Sequence, residues 1–117
     1  MKLSSWMRRI GNVRKKVNSE KSMEHQLMRV VEETTEMFLE IRSGADLRKI
    51  TYKKDERGIE KPHGFPAEWG DTVAQLLHIA DLVGFDPEEA MHAVTKYHEH
   101  KQAKKQPPKK GKKGKSK

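Results

Sequence analysis

The chain contains no cysteine, which excludes disulfides, thiolate metal sites and a cysteine nucleophile and suits a reducing compartment. A cytoplasmic protein is the expectation. It also lacks any uncharged apolar run near the ~20 residues that a membrane-spanning helix requires; the longest stretch runs from about Thr72 to Ala80. No membrane partner is expected. The first eighteen residues are basic and amphipathic but have no apolar h-region, so they read as a helix of the fold and not as a secretory signal. A glycine-rich phosphate loop, an H-E-x-x-H zinc signature, a nucleophile elbow around any serine and an internal repeat are all missing. At 117 residues the chain has room for one domain and none for a separate cofactor module.

What the sequence does have is charge, at 36% of its residues with a formal net charge of +8. That charge is unevenly placed. Residues 101 to 117 hold nine lysines and no acid, which leaves sixteen basic against seventeen acidic residues in the first hundred. The body is nearly neutral, so a small core is affordable there, while the remainder from Gln102 is lysine, glycine and proline without apolar periodicity. Residues 102–117 are expected to form a disordered basic tail behind a domain of residues 1–101.

Within the body the spacing predicts an all-α fold of about four helices. Trp6, Ile10, Val13 and Val17 form one helical stripe, with Trp6 packed inward and Ser4 or Ser5 as the cap. A longer helix begins after Ser22 and ends before Gly44, carrying Leu27, Val30, Val31, Thr34, Phe38 and Ile41 at helical spacing. Between Gly44 and Phe65 the sequence is charged and turn-rich and predicts a mobile loop without strands, with a helical turn near Asp46 to Ile50. Pro66 opens a third helix with Trp69, Val73, Leu76, Leu77 and Ala80 on its apolar face and Gly84 at its end. Asp86-Pro87-Glu88-Glu89 is a capping-box start for a fourth helix reaching about Lys101.

The chemistry-bearing residues lie on the middle two helices. Glu33, Glu36 and Glu40 share the side of their helix opposite Leu27, Thr34 and Phe38, with Glu32 beside Glu36, while Glu68 and Asp71 sit three residues apart on the next helix. A solvated face would show the same pattern. If the two helices pack side by side, however, Glu33, Glu36, Glu68 and Asp71 meet in a hard, all-oxygen cluster of the type that holds Mg²⁺ or Mn²⁺ and bridges to phosphate. The histidines His25, His63, His78, His92, His98 and His100 show no ligand spacing and read as surface or packing residues.

Three segments carry a resemblance: Val31-Glu32-Glu33-Thr34-Thr35-Glu36, then Lys61-Pro62-His63-Gly64-Phe65-Pro66-Ala67-Glu68-Trp69-Gly70-Asp71, then Gly84-Phe85-Asp86-Pro87-Glu88-Glu89-Ala90. Over about residues 22 to 98 the chain resembles the MazG-like, all-α nucleoside triphosphate pyrophosphohydrolases. The resemblance implies Mg²⁺, with Mn²⁺ as an alternative, held by Glu33, Glu36, Glu68 and Asp71. It further implies cleavage of nucleoside triphosphates to monophosphate and pyrophosphate, with Glu32 as a water-positioning base, and assembly into dimers or tetramers. Apolar surface beyond what one thin bundle buries points to a homo-oligomer as well.

The family's last helix carries a lysine and an asparagine where this chain has Val94 and His98. Lys96, Lys54 or Lys61 is expected to supply the phosphate contact instead, and His98 still donates a hydrogen bond. The competing expectation is a catalytically degenerate family member that binds nucleotide or nucleic acid. In that case the lysines of residues 101–117 act as a flexible polycation releasing counterions on binding.

Overall fold

Local signals at the ends of the helices set where each begins and stops. The computed structural model describes residues 1–18 and 22–105, in which α1 (Leu3–Asn18) and α2 (Met23–Arg42) precede a hairpin of β1 (Thr51–Lys54) and β2 (Glu60–His63), followed by α3 (Phe65–Val83) and α4 (Pro87–Lys105). Ser22 caps α2, its hydroxyl accepting from the His25 amide at 3.1 Å. Gly84 ends α3 in the left-handed region with φ of 95°. Asp86 caps α4, its Oδ1 accepting from the Glu88 amide at 2.9 Å with Pro87 as the first helical residue. The all-α expectation holds, with four helices among the described residues.

Several expectations are corrected. Helix α1 starts at Leu3, so Ser4 and Ser5 lie inside its first turn and neither is the cap. Helix α4 runs to Lys105, one turn past the expected end, so residues 102–105 belong to a helix and not to a tail. The rest of the expected tail, residues 106–117, lies outside the described residues. The chain also divides into two compact units, one ending at Phe85 and one beginning at Asp86.

The expected strandless loop contains an antiparallel hairpin with Thr51 opposite His63 and Lys54 opposite Glu60. Turn chemistry makes it. Asp55 Oδ1 accepts from the amides of Arg57 and Ile59, both at 2.9 Å, and Gly58 adopts the positive φ of 80° that closes the loop. Pro62, which has no amide to donate, is tolerated because this two-stranded ribbon has only edge strands. Near Asp46 the backbone makes a turn closed by the Lys49 amide on the Asp46 carbonyl at 3.2 Å, without helix.

In the first unit α3 is packed by α1 and by α2. The contact surfaces are rotated from the apolar stripes in the sequence. Trp6 and Val13 are exposed, and the less exposed side of α1 is Leu3, Met7, Ile10, Gly11 and Arg14. On α2 the covered stripe is Met23, Gln26, Arg29, Val30, Glu33, Met37 and Glu40, whereas Leu27, Val31, Thr34, Phe38 and Ile41 are exposed. On α3, Trp69 and Leu76 are exposed, and Thr72, Gln75 and His78 are buried beside Leu77, Ile79 and Ala80.

Hydrogen bonding makes this polar interior tenable. The Gln75 amide donates to the backbone carbonyl of Gln26 at 2.9 Å and to its side-chain oxygen at 2.8 Å. Its own oxygen accepts from Arg14 Nη1 at 2.7 Å. One fully buried side chain on α3 thus bonds to both neighbouring helices.

Candidate functional site

The rotation of α2 turns its glutamates toward α3. One carboxylate oxygen from each of Glu33, Glu36 and Glu68 lies within 4.8 Å of the others. Asp71 lines the same cleft, of about 440 Å³, together with Arg14, Arg29, Lys61, Pro62 and His63. Each wall has its own source: Glu33, Glu36 and Arg29 from α2, Glu68 and Asp71 from α3, Lys61 to His63 from β2, and Arg14 from α1.

Glu68 depends on the backbone just before it. Gly64 has φ of 111°, a region that side chains disfavour, and a Cβ there would collide with the carbonyl oxygen of Lys49. Only glycine fits this link from β2 into α3. The Gly64 carbonyl in turn accepts from the Glu68 amide at 3.0 Å, starting the helix at the residue whose carboxylate enters the cluster.

The electrostatics are those of acids crowded together. Glu68 has its pKa raised to about 7 by burial first, and then by Glu36, through charge and a shared hydrogen bond, and by Asp71 and Glu33. Glu33 is also raised, by burial and then by Asp71 and Glu36, against opposing contributions from Arg29 and Arg14. Arg29 Nη2 stands 3.8 Å from Glu33 Oε1, and the buried Oε2 of Glu33 has no hydrogen-bond partner among the described residues.

This donor set fits a hard divalent cation. It offers carboxylate oxygens from two helices, one of them buried and unpaired, and the mutual repulsion of crowded acids is what a cation relieves. Of the expected ligands, Glu33, Glu36 and Glu68 converge, and Asp71 stands in the cleft beside them. Of the expected phosphate contacts, Lys61 lines the cleft. Lys54 is exposed on β1, at the end of the hairpin paired with Glu60. Glu32 is exposed and is not among the lining residues. Lys96 and His98 lie on exposed positions of α4, in the second unit, as does Val94.

The sequence reading missed Arg14, Arg29 and His63 as cleft residues. Arg29 had a signal, since it lies one turn before Glu33 on the same face. His63 belongs to the segment that leads into α3, two residues from its start. Arg14 had none, because nothing in its own helix indicates which neighbour it meets. No family model, no curated protein and no solved structure matches the chain.

Proposed function

We propose that the protein is a Mg²⁺-dependent nucleotide pyrophosphohydrolase that converts nucleoside triphosphates to monophosphate and pyrophosphate. The observation that carries this reading is the convergence of Glu33, Glu36 and Glu68 from two helices in a cleft that also presents basic side chains. Glu33, Glu36, Glu68 and Asp71 would hold the metal, with Mn²⁺ as a substitute for Mg²⁺. A bound divalent cation supplies charge neutralisation for the polyphosphate and lowers the pKa of a water molecule. Lys61, which lines the cleft from β2, would meet the polyphosphate as a point charge. A carboxylate of the cleft orients the attacking water and takes its proton as general base. Attack at the α-phosphorus breaks its bond to the bridging oxygen, and pyrophosphate leaves with that electron pair. Such an enzyme works in the cytoplasm beside its substrates.

Purified protein is expected to release monophosphate and pyrophosphate only when Mg²⁺ or Mn²⁺ is present. Release of orthophosphate, or no turnover with any common nucleotide, overturns the reading.

Val31 at 55% exposure and Phe38 at 53% favour a homo-oligomer, a dimer or tetramer in which a second copy covers this side of α2. Light scattering at tens of micromolar checks it, and a monomer there counts against it.

The competing reading keeps the cleft as a nucleotide-binding site without turnover and assigns the lysines of residues 101–117 to nucleic acid. Val94, standing where the family has a lysine, favours it. Truncation after Lys105 is expected to leave helicity intact while reducing salt-sensitive binding to DNA or RNA.

A further inference from the structure

We propose that Arg14, on α1, is an anion-binding residue of the cleft that holds phosphate oxygens of the polyphosphate brought to Glu33, Glu36 and Glu68 by divalent cations. This rests on the metal-dependent reading above and adds a contribution from a helix outside residues 22 to 98, the span of the family resemblance.

The geometry around the guanidinium carries the argument. Arg14 is half-buried, and among the described residues its one hydrogen bond is to a neutral acceptor, the Gln75 side-chain oxygen at 2.7 Å. An arginine placed to neutralise the cluster would fork onto a carboxylate. Arg14 lines the cleft with Glu33 and Asp71 and feels the field of both, yet it makes no ion pair with either. A desolvated cation is costly unless something of opposite charge completes it. Here the protein fixes the orientation of that cation and leaves its counterion to come from the cleft.

The holding residue is itself immobile. Gln75 is fully buried, and its amide donates twice to Gln26 on α2. One edge of the guanidinium is therefore pinned, and the remaining N–H donors, of the five that arginine carries, stay available to a planar or tetrahedral oxyanion. Arg29 differs, because it is already beside Glu33. Lys61 differs too, lying exposed on the hairpin.

The charge count agrees. Three basic side chains, Arg14, Arg29 and Lys61, face four acids, Glu33, Glu36, Glu68 and Asp71, so the lining is close to balanced before any cation binds. Two divalent cations would turn that excess of one negative charge into an excess of three positive charges. An anion of several charges, such as a triphosphate, restores the balance, whereas a monoanion does not.

The test compares wild type, Arg14→Gln and Arg14→Lys, with Arg9→Gln as a control on the same helix. Mn²⁺ binding alone is measured by calorimetry, then binding of inorganic tripolyphosphate at saturating Mg²⁺, with circular dichroism to confirm folding. For Arg14→Gln we expect Mn²⁺ affinity equal to or above wild type and tripolyphosphate affinity lower by about tenfold or more, the size of a lost charge-assisted hydrogen bond. Arg14→Lys should fall between and serves if Arg14→Gln does not fold; Arg9→Gln should match wild type. Unchanged tripolyphosphate affinity in both Arg14 variants overturns the inference and leaves the metal reading standing. If wild type binds no Mn²⁺, or Glu36→Gln binds it as well as wild type does, the metal reading fails and this inference fails with it.

Discussion

The two faces of α2 occupy opposite environments from those their chemistry suggests. The covered face bears Gln26, Arg29, Glu33 and Glu40 among Met23, Val30 and Met37, while the face bearing Leu27, Val31, Phe38 and Ile41 is open. Hydrophobicity alone therefore does not decide which side of this helix is covered within the protomer. Specific pairing does: Gln26 meets Gln75, and Glu33 and Glu36 meet Glu68. An apolar stripe of this size is a source of free energy left unused, because each large side chain gains about 1.5–3 kcal/mol on full burial. The polar face has the properties of a site and the apolar face those of an interface.

The largest effect expected on that comparison comes from neutralising the polar face. Glu36→Gln or Asp71→Asn should lower metal-dependent turnover by about 100-fold or more, since even residues that only support a metal's ligands contribute 10–100-fold. Melting temperature should hold or rise, because each change removes one of several crowded negative charges. Turnover equal to wild type would make the cluster an ordinary acidic surface.

Charging the other face comes next. Val31→Glu or Phe38→Glu should weaken self-association by about 30-fold, the scale of a central interface residue, and leave the Mn²⁺ affinity of the cleft unchanged. Sedimentation or light scattering reads the first and calorimetry the second. A variant that loses metal binding while remaining associated would show that the two faces are not separable.

Smaller again is the effect of apolar substitution inside the polar interface. Gln75→Leu keeps volume but strips Arg14 and Gln26 of their partner, so unfolding free energy should fall by about 1–3 kcal/mol for each buried group left unsatisfied. Chemical denaturation checks this. A gain in stability would mean that the interior tolerates, and prefers, the hydrophobic packing its position suggests.

Much of the architecture could be read from the sequence because helix ends have local causes. Ser22, Gly84 and Asp86-Pro87 act within one turn, so their roles were legible without knowing any partner. The carboxylate set was legible for a related reason: spacing along α2 and α3 fixes which acids share a face. Which face turns inward was not, because that depends on Gln75 finding Gln26 across 49 residues of sequence. Apolarity predicts Trp6 packed inward and Trp69 on the apolar face of its helix, and both are exposed. The hairpin was missed because TYKK and EKPH have no apolar alternation; Asp55 and Gly58 were its signal, through turn chemistry that a search for amphipathic strands does not weigh.

The smallest effect expected is a pH dependence of stability that belongs to the polar face alone. In the folded chain Glu68 titrates at about 7, raised above its ordinary value by burial and by Glu36, and in the unfolded chain it titrates near the usual ~4.3 for glutamate. Between those values the folded state keeps a proton that the unfolded state releases, so the stability contributed by this group is complete below the unfolded pKa and is lost as pH rises through about 7. Glu33 shifts in the same direction. Without divalent cations, the melting temperature of wild type should therefore decline between pH 5 and 8 relative to Glu68→Gln, which has no such proton to lose. Titrating groups outside the cluster are common to both proteins and cancel in the difference. Saturating Mg²⁺ should reverse the slope in wild type, because a cation binds the ionised carboxylates and its stabilisation grows as protons leave the cluster. Glu68→Gln should show a weaker reversal, having one ligand fewer. If the two proteins keep a constant difference in melting temperature across that range, Glu68 is not sharing its proton with Glu36, and the crowding that makes this face of α2 a cation site is absent in solution.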